Sequence, residues 1–320
     1  MQTGTPETTR KAAPFGAQTT ADEVLAGVDL SGRTVVVTGA TAGIGVETAR
    51  ALGAAGAQVV IVGRGGERTE AALGALRAAA PAAQFEAAQA ELGSLASVKA
   101  GAQDLLDRFP KIDILINNAG VMRTPYGRTV DGFETQFGVN HIGHFALTCA
   151  LAPALLAGRG RVVALASSGH RWSDVRWDDI NFDRTPYDPG WAYGQAKTAN
   201  MLFAIGLNRR ISPRGLEAFA VHPGAIHTEL GRHMSADERA QIQAEAAKHN
   251  VFWKSVAQGA AGSVRAAVDP ALNGQGGAYI VDCQPMAAGA PGYMDYARDP
   301  EAAERLWRLS EELTGIGWPA

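Results

Sequence analysis

The stretch that most limits what this chain can fold into is Thr38-Gly39-Ala40-Thr41-Ala42-Gly43-Ile44-Gly45. It follows a short β-branched run, Thr34 to Thr38, and leads into a helical pattern from Gly43 to about Ala55. A buried parallel strand reads as such a run. Glycines between a strand and a helix let the backbone turn tightly and approach a phosphate group at the positive end of the helix. The turn therefore predicts an α/β sheet and a nucleotide pyrophosphate seated on Gly39, Thr41, Ala42, Gly43, Ile44 and Gly45.

The rest of the chain keeps the same alternation. Strands are expected at 58–62, 84–92, 112–117, 161–166, 216–221 and 278–281, with helices at 67–79 and 94–109 and a long helix before the fifth strand. The last helix is bounded by Asp299 as N-cap, Pro300 at its first position and Gly315 after its end. This spacing predicts one doubly wound domain over 20–320, a sheet of about seven parallel strands with helices on both faces. Residues 1–19 read as a flexible arm, and Thr20 to Glu23 as a capping box opening a short helix through Leu25.

Composition narrows the class. With 320 residues, 46% of them hydrophobic, the chain can bury a large core, and a net charge of -3 gives no basic field for nucleic acid or an anionic membrane. The two cysteines, Cys149 and Cys283, are far apart and lack metal-ligand spacing, so no metal is expected. The most apolar run, Ala146 to Gly158, is too short to span a bilayer and reads as a buried helix. A cytoplasmic protein is the expectation.

Three further features carry chemistry. Tyr193 and Lys197 stand four residues apart on one helix face, where an ammonium favours the phenolate and lowers the Tyr pKa toward neutrality. A Tyr tuned that way exchanges a proton with an alcohol or carbonyl oxygen. The second strand ends at Gly63-Arg64, where an NAD-binding fold places an acid for the ribose diol; Arg64 suits a 2′-phosphate, which favours NADP(H) over NAD(H). After the fourth strand, Asn117-Asn118-Ala119-Gly120 offers small residues over which a cofactor can pass.

Together, Thr-Gly-x-x-x-Gly-Ile-Gly, Asn-Asn-Ala-Gly and Tyr-x-x-x-Lys make the chain resemble the short-chain dehydrogenase/reductase family, a Rossmann-type fold, from about Leu30 to beyond Gly224. Asp131-Gly132-Phe133-Glu134, Asn140-His141-Ile142-Gly143-His144-Phe145, Trp191, Tyr193-Gly194-Gln195 and the tail from Tyr279 to Cys283 resemble its retinol-dehydrogenase-like branch. The resemblance implies Tyr193 as general acid/base, Lys197 as the group that lowers its pKa and holds the nicotinamide ribose, and Ser167, ahead of Ser168, as donor to the reacting oxygen. It also implies that Asn140 supports Lys197 through a water relay. Asn118, Ala119 and Gly120, Glu91 and Leu92 by the adenine, and Pro223, Gly224, Ile226 and Thr228 by the nicotinamide complete the implied cofactor site. Ala164, Ala166 and Ala196 depart from the family's pattern, as does Glu91, which replaces an Asp; none of these removes a reacting group.

His141 and His144 lack a third ligand and read as structural residues or helpers of Asn140. Asp178, Asp179 and Asp183 read as a solvated loop. Trp172, Trp177, Phe182 and Trp191 fall in a long segment that either walls the substrate or merely covers the domain. Residues 226–254 are the expected lid. The leading expectation is an oxidoreductase moving a hydride between NADP(H) and an alcohol, aldehyde or ketone, as a homodimer or homotetramer. A nucleotide-sensing protein without turnover and a sugar-nucleotide epimerase or dehydratase are the rival classes.

Overall fold

The computed structural model describes residues 15–319. The strands are β1 (Thr34–Thr38), β2 (Gln58–Gly63), β3 (Gln84–Gln89), β4 (Ile114–Asn117), β5 (Arg161–Leu165), β6 (Glu217–His222), β7 (Ala225–Ile226), β8 (Trp253–Lys254), β9 (Tyr279–Val281) and β10 (Gln284–Pro285). The helices are α1 (Ala21–Leu25), α2 (Gly43–Ala54), α3 (Glu67–Ala79), α4 (Leu95–Arg108), α5 (Thr135–Phe137), α6 (Gly143–Ala150), α7 (Ala152–Gly158), α8 (Pro189–Ile211), α9 (Ala236–Lys248), α10 (Val256–Val268) and α11 (Pro300–Thr314).

The main sheet runs β10-β9-β6-β5-β4-β1-β2-β3. All its pairs are parallel except β9 with β10, so the expected parallel sheet carries one short antiparallel edge strand in addition. Alternate residues of the central strands enter opposite cores. Val35, Val37, Val59, Ile61, Ile114 and Ile116 join α1, α2, α3 and α10, whereas Val36, Val60, Val62 and Leu115 join α4, α6, α8 and α11. A strand buried on both faces needs an unbroken apolar run, which is what these strands have. The chain order reverses at β1, between β4 and β2, and that places a crevice at the carboxyl ends of β1 and β4.

Residues 1–14 of the expected arm lie outside the described residues. Its remaining part is docked: Phe15 packs on the core, its carbonyl accepts from Gln284 Nε2 at 2.6 Å, and the Gln18 carbonyl accepts from Gln258 Nε2 at 3.0 Å. The flexible-arm reading therefore fails for 15–19, because Phe15 has apolar surface to bury. The capping box of Thr20 and Glu23 is formed.

The apolar run before β5 is bent. Five residues, Gly138–Ile142, form a π-helical turn, α6 follows, and the helix breaks at Leu151 before α7. Pro153 cannot donate back to the preceding turn and clashes with it. Among the described residues no single helix is long and apolar enough to cross a membrane; Thr135–Ala150 with Ala152–Gly158 passes by length and composition as a pair bent by 66°. Residues from Gly143 to Cys149 are buried among the other helices of that core.

Candidate active site

The glycine turn packs directly on the end of β4. A Cβ on Gly39 would stand 2.6 Å from Ala119 Cα, and the residue has φ +67°. A Cβ on Gly45 would lie 2.5 Å from Asn118 Nδ2. The turn is sewn to that strand by Thr38, whose hydroxyl accepts from the Asn118 and Ala119 amides at 2.9 and 3.0 Å, while Asn118 Nδ2 donates to the Thr38 carbonyl at 2.8 Å. Thr228 also reaches the turn, its Cγ2 lying 3.4 Å from where a Gly43 Cβ would be, and Ile226 and Ile44 meet over Gly259. The structure thus brings the glycine turn, Asn118 to Gly120 and the segment from Pro223 to Thr228 around one crevice.

Tyr193 and Lys197 are buried on α8. The helix starts at Pro189, with Asp188 capping the Trp191 amide at 2.7 Å, which sets both residues one turn apart at the sheet's carboxyl edge. Ser167 follows β5 and lies beside Tyr193: a Cβ on Gly169 would stand 2.8 Å from the edge of the Tyr193 ring and 3.4 Å from Ser167 Oγ. Its Oγ accepts from the Gly169 amide at 3.0 Å. The three expected reacting groups therefore meet, and Ser167 is the serine that faces the phenol, whereas the Ser168 amide donates to His222 Nδ1 at 3.3 Å.

The electrostatics correct the sequence expectation for Tyr193. Burial pushes its pKa up to about 12, against the lowering effect of Ser167. Lys197 does not reverse this. Burial lowers its own pKa to about 8, and its Nζ donates to the Leu165 carbonyl at 2.8 Å, lying 5.5 Å from the centre of the Tyr193 ring. The cost of charging either group away from water outweighs their mutual effect.

Asn140 lies in the π-helical turn. Its side chain clamps the Val121 backbone, Oδ1 accepting from the amide at 2.8 Å and Nδ2 donating to the carbonyl at 2.9 Å. Asn140 and Lys197 approach each other at Gly120, whose Cβ would be 3.2 Å from Asn140 Oδ1 and 3.8 Å from Lys197 Nζ. The Asn140 carbonyl meets His144 Nδ1 at 3.0 Å, and His144 Nε2 meets Thr38 Oγ1 at 2.8 Å. A carbonyl can only accept, so Nδ1 carries the proton and Nε2 accepts from the Thr38 hydroxyl. Burial lowers the His144 pKa to about 4, keeping this neutral tautomer. His144 thus joins the glycine turn to Asn140. The sequence points to a structural residue or a helper of Asn140; the tie to Thr38, a residue 106 positions away, has no signature in it. His141 bonds Ser310 Oγ at 2.9 Å, in the core.

Arg64 follows β2, with its side chain 73% exposed and its Nε 3.7 Å from Glu91 Oε2. Glu91 also accepts from the Gly93 amide at 3.1 Å, and Leu92 is buried beside Gly143. These observations fit a dinucleotide. The turn is built where side chains would collide, and Lys197 Nζ has three N–H groups with one hydrogen bond among the described residues, so its other donors are available to a ribose diol.

The aromatic segment divides between its two readings. Trp172 is half exposed and stands 5.9 Å from Tyr193, as a wall residue would, whereas Phe182 is buried against Tyr187 and Trp177 packs on a core cluster. Asp179 organises this loop by accepting from the Asp183, Arg184 and Thr185 amides. In the segment expected to be a lid, α9 has no buried residue and is tied to the loop after β4 by Glu238, which meets Arg123 Nη2 at 2.7 Å. Arg123 (φ +51°) was not singled out from the sequence.

The family model described as short chain dehydrogenase matches residues 33–178. Retinol dehydrogenase 12 of Mus musculus is 39% identical over 292 residues, 91% of this chain and 89% of that protein. A solved, uncharacterized protein from Mycobacterium paratuberculosis superposes with a TM-score of 0.74 at 34% identity, covering 95% of this chain and all of that one. The Pseudomonas aeruginosa RhlG/NADP active-site complex superposes with a TM-score of 0.64 at 25% identity, over 79% of this chain and 95% of that chain.

Proposed function

This chain belongs to the short-chain dehydrogenase/reductase family, NAD(P)-dependent oxidoreductases acting on CH–OH groups, and on that premise we infer that it interconverts a bulky apolar alcohol and its carbonyl using NADP(H). The observation that carries the reading is the buried meeting of Tyr193, Ser167 and Lys197 beside a side-chain-free glycine cradle. When bound, the nicotinamide supplies or takes up the hydride.

The chain's own residues handle position and proton. The glycine turn, Asn118 to Gly120 and Thr228 hold the dinucleotide, and Lys197 fixes its ribose by the N–H groups left over from Leu165. Ser167 donates to the substrate oxygen. Tyr193, protonated at neutral pH, gives its phenolic proton to that oxygen in reduction and takes it back in oxidation. Lys197 then stabilises the phenolate, with Asn140 beside it at Gly120. A group with a pKa near 12 is a ready acid only while a cation shares its site.

Support for NADP(H) comes from Arg64, from Gly63 where an acid would repel the 2′-phosphate, and from the likeness to the NADP-bound P. aeruginosa structure. Support for a bulky apolar substrate comes from Trp172 beside Tyr193 and from the likeness to a retinol dehydrogenase. Turnover of NADPH against NADH with a panel of long-chain and aromatic aldehydes tests both. Arg64→Ala should cut the NADPH preference by about tenfold or more, as loss of a charge-assisted phosphate contact implies. An unchanged preference removes Arg64 from the site.

A further inference from the structure

Lys254 is a buried cation outside the Tyr193 cluster, its side chain 4% exposed. Its Nζ meets Asp282 Oδ1 at 2.7 Å. Its aliphatic stem runs where Gly224 has no side chain: a Cβ there would be 2.7 Å from Lys254 Cδ, and Gly224 itself has φ +98°. In the small β7·β8 sheet, Lys254 is the register partner of Ile226. One side chain therefore touches the segment Pro223–Thr228, the far end of the lid and the β9–β10 hairpin.

The hairpin is built unusually. Val281 and Gln284 are partners, leaving a loop of Asp282 and Cys283, with φ +49° and +62°. Two consecutive left-handed residues make the tight hairpin turn that Asn-Gly or Asp-Gly normally fills. Asp tolerates this conformation; Cys, with a Cβ and no local hydrogen bond to offer, does so at a cost. The turn is held by Arg265, which donates to the Cys283 carbonyl. A backbone kept in a sparsely populated region points to a task, and here the turn aims the Asp282 carboxylate at Lys254.

We propose that Lys254 and Asp282 are positioning residues of the cofactor site, an ion pair that fastens both lid hinges and the nicotinamide-side segment to the main sheet. The proposal rests on the reading of Pro223–Thr228 as that segment. The lid begins at β7 and ends at β8, two residues each, a ladder too small to stand alone. Without Asp282, the Lys254 ammonium is buried unpaired and moves out to water, drawing β8 away from β7. The pocket wall beside Gly224 then loses its backing.

The test uses full-length Asp282→Asn and Lys254→Met. The first keeps the shape and tolerance of the turn, and the second keeps the stem packed on Gly224. NADPH affinity is measured by titration, kcat and KM by steady-state kinetics at saturating cofactor, and the hinge by the emission of Trp253, whose ring stacks on His227 at 4.1 Å. Emission is taken as the difference from matched Trp253→Phe proteins. Each variant should weaken NADPH about tenfold with kcat at saturation within about twofold, and the double variant should be no weaker than either single, since the two share one interaction. The Trp253 emission should shift to the red. Unchanged affinity in Asp282→Asn, or effects that add in the double variant, would overturn the pair's role while leaving the wild-type cofactor site standing. A wild type that binds no NADPH would overturn the assignment of Pro223–Thr228 itself, and the pair's role with it. Asp282 is half exposed, so Asp282→Asn decides the matter even where Lys254→Met fails to fold.

Discussion

Tyr193 and Lys197 divide one task between two perturbed groups. Burial raises the phenol to about 12 and lowers the ammonium to about 8. Reduction requires the phenol protonated and the ammonium charged, so the lower of the two limits it. kcat/KM for carbonyl reduction should be flat near neutrality and fall above pH 8 by about tenfold per unit; a pH profile level to pH 10 would remove Lys197 as the limiting group. The Tyr193/Lys197 pair was legible as a helical spacing that the other motifs gave meaning to, and Ser167 as what the family resemblance implies for the residue after the fifth strand. The direction of the Tyr193 shift was not legible, because burial is set by the whole of α8 and its neighbours. The tie of His144 to Thr38, and the roles of Arg123 and Lys254, escaped for a related reason: the partners Thr38, Glu238 and Asp282 lie elsewhere in the chain.

The strands and helices that shape the crevice could be read from periodicity, since β1, β2 and β4 feed alternate residues to two cores. The glycine turn is the element most sensitive to change. Gly39→Ala places a Cβ 2.6 Å from Ala119 Cα at a positive φ, so neither a rotamer nor a small shift relieves it. It should destabilise the protein by about 2 kcal/mol and abolish cofactor binding, measured by denaturant unfolding and NADPH titration. A stable variant that binds normally would contradict the close packing. The elements that sequence did not reveal are β7, β8, β10 and the π-helical turn at Gly138–Ile142. Two-residue strands have no period to detect, and the π-helical turn depends on Asn140 finding Val121.

Across the whole molecule, the buried histidines predict acid lability. Burial holds His141 at about 3 and His144 at about 4, below the ordinary 6.5. As the pH falls below 6.5 the unfolded chain takes up protons that the folded chain refuses. Stability is thus complete above about 6.5 and erodes toward pH 4, by about 1.4 kcal/mol per pH unit for each histidine. Thermal unfolding at pH 7.0 and 5.0 should show the melting point falling steeply; a level melting point would mean these rings are not held neutral. The doubly wound sheet was legible as a whole, and the docking of residues 15–19 was not, because Phe15 is an isolated apolar residue whose contacts come from α10 and β10. The chemistry turns on Tyr193, and the most direct measurement is NADPH turnover by Tyr193→Phe beside wild type, with a bulky aldehyde that wild type reduces. The reading predicts undiminished NADPH binding and a loss of kcat of at least about a hundredfold. Turnover near the wild-type rate would contradict it.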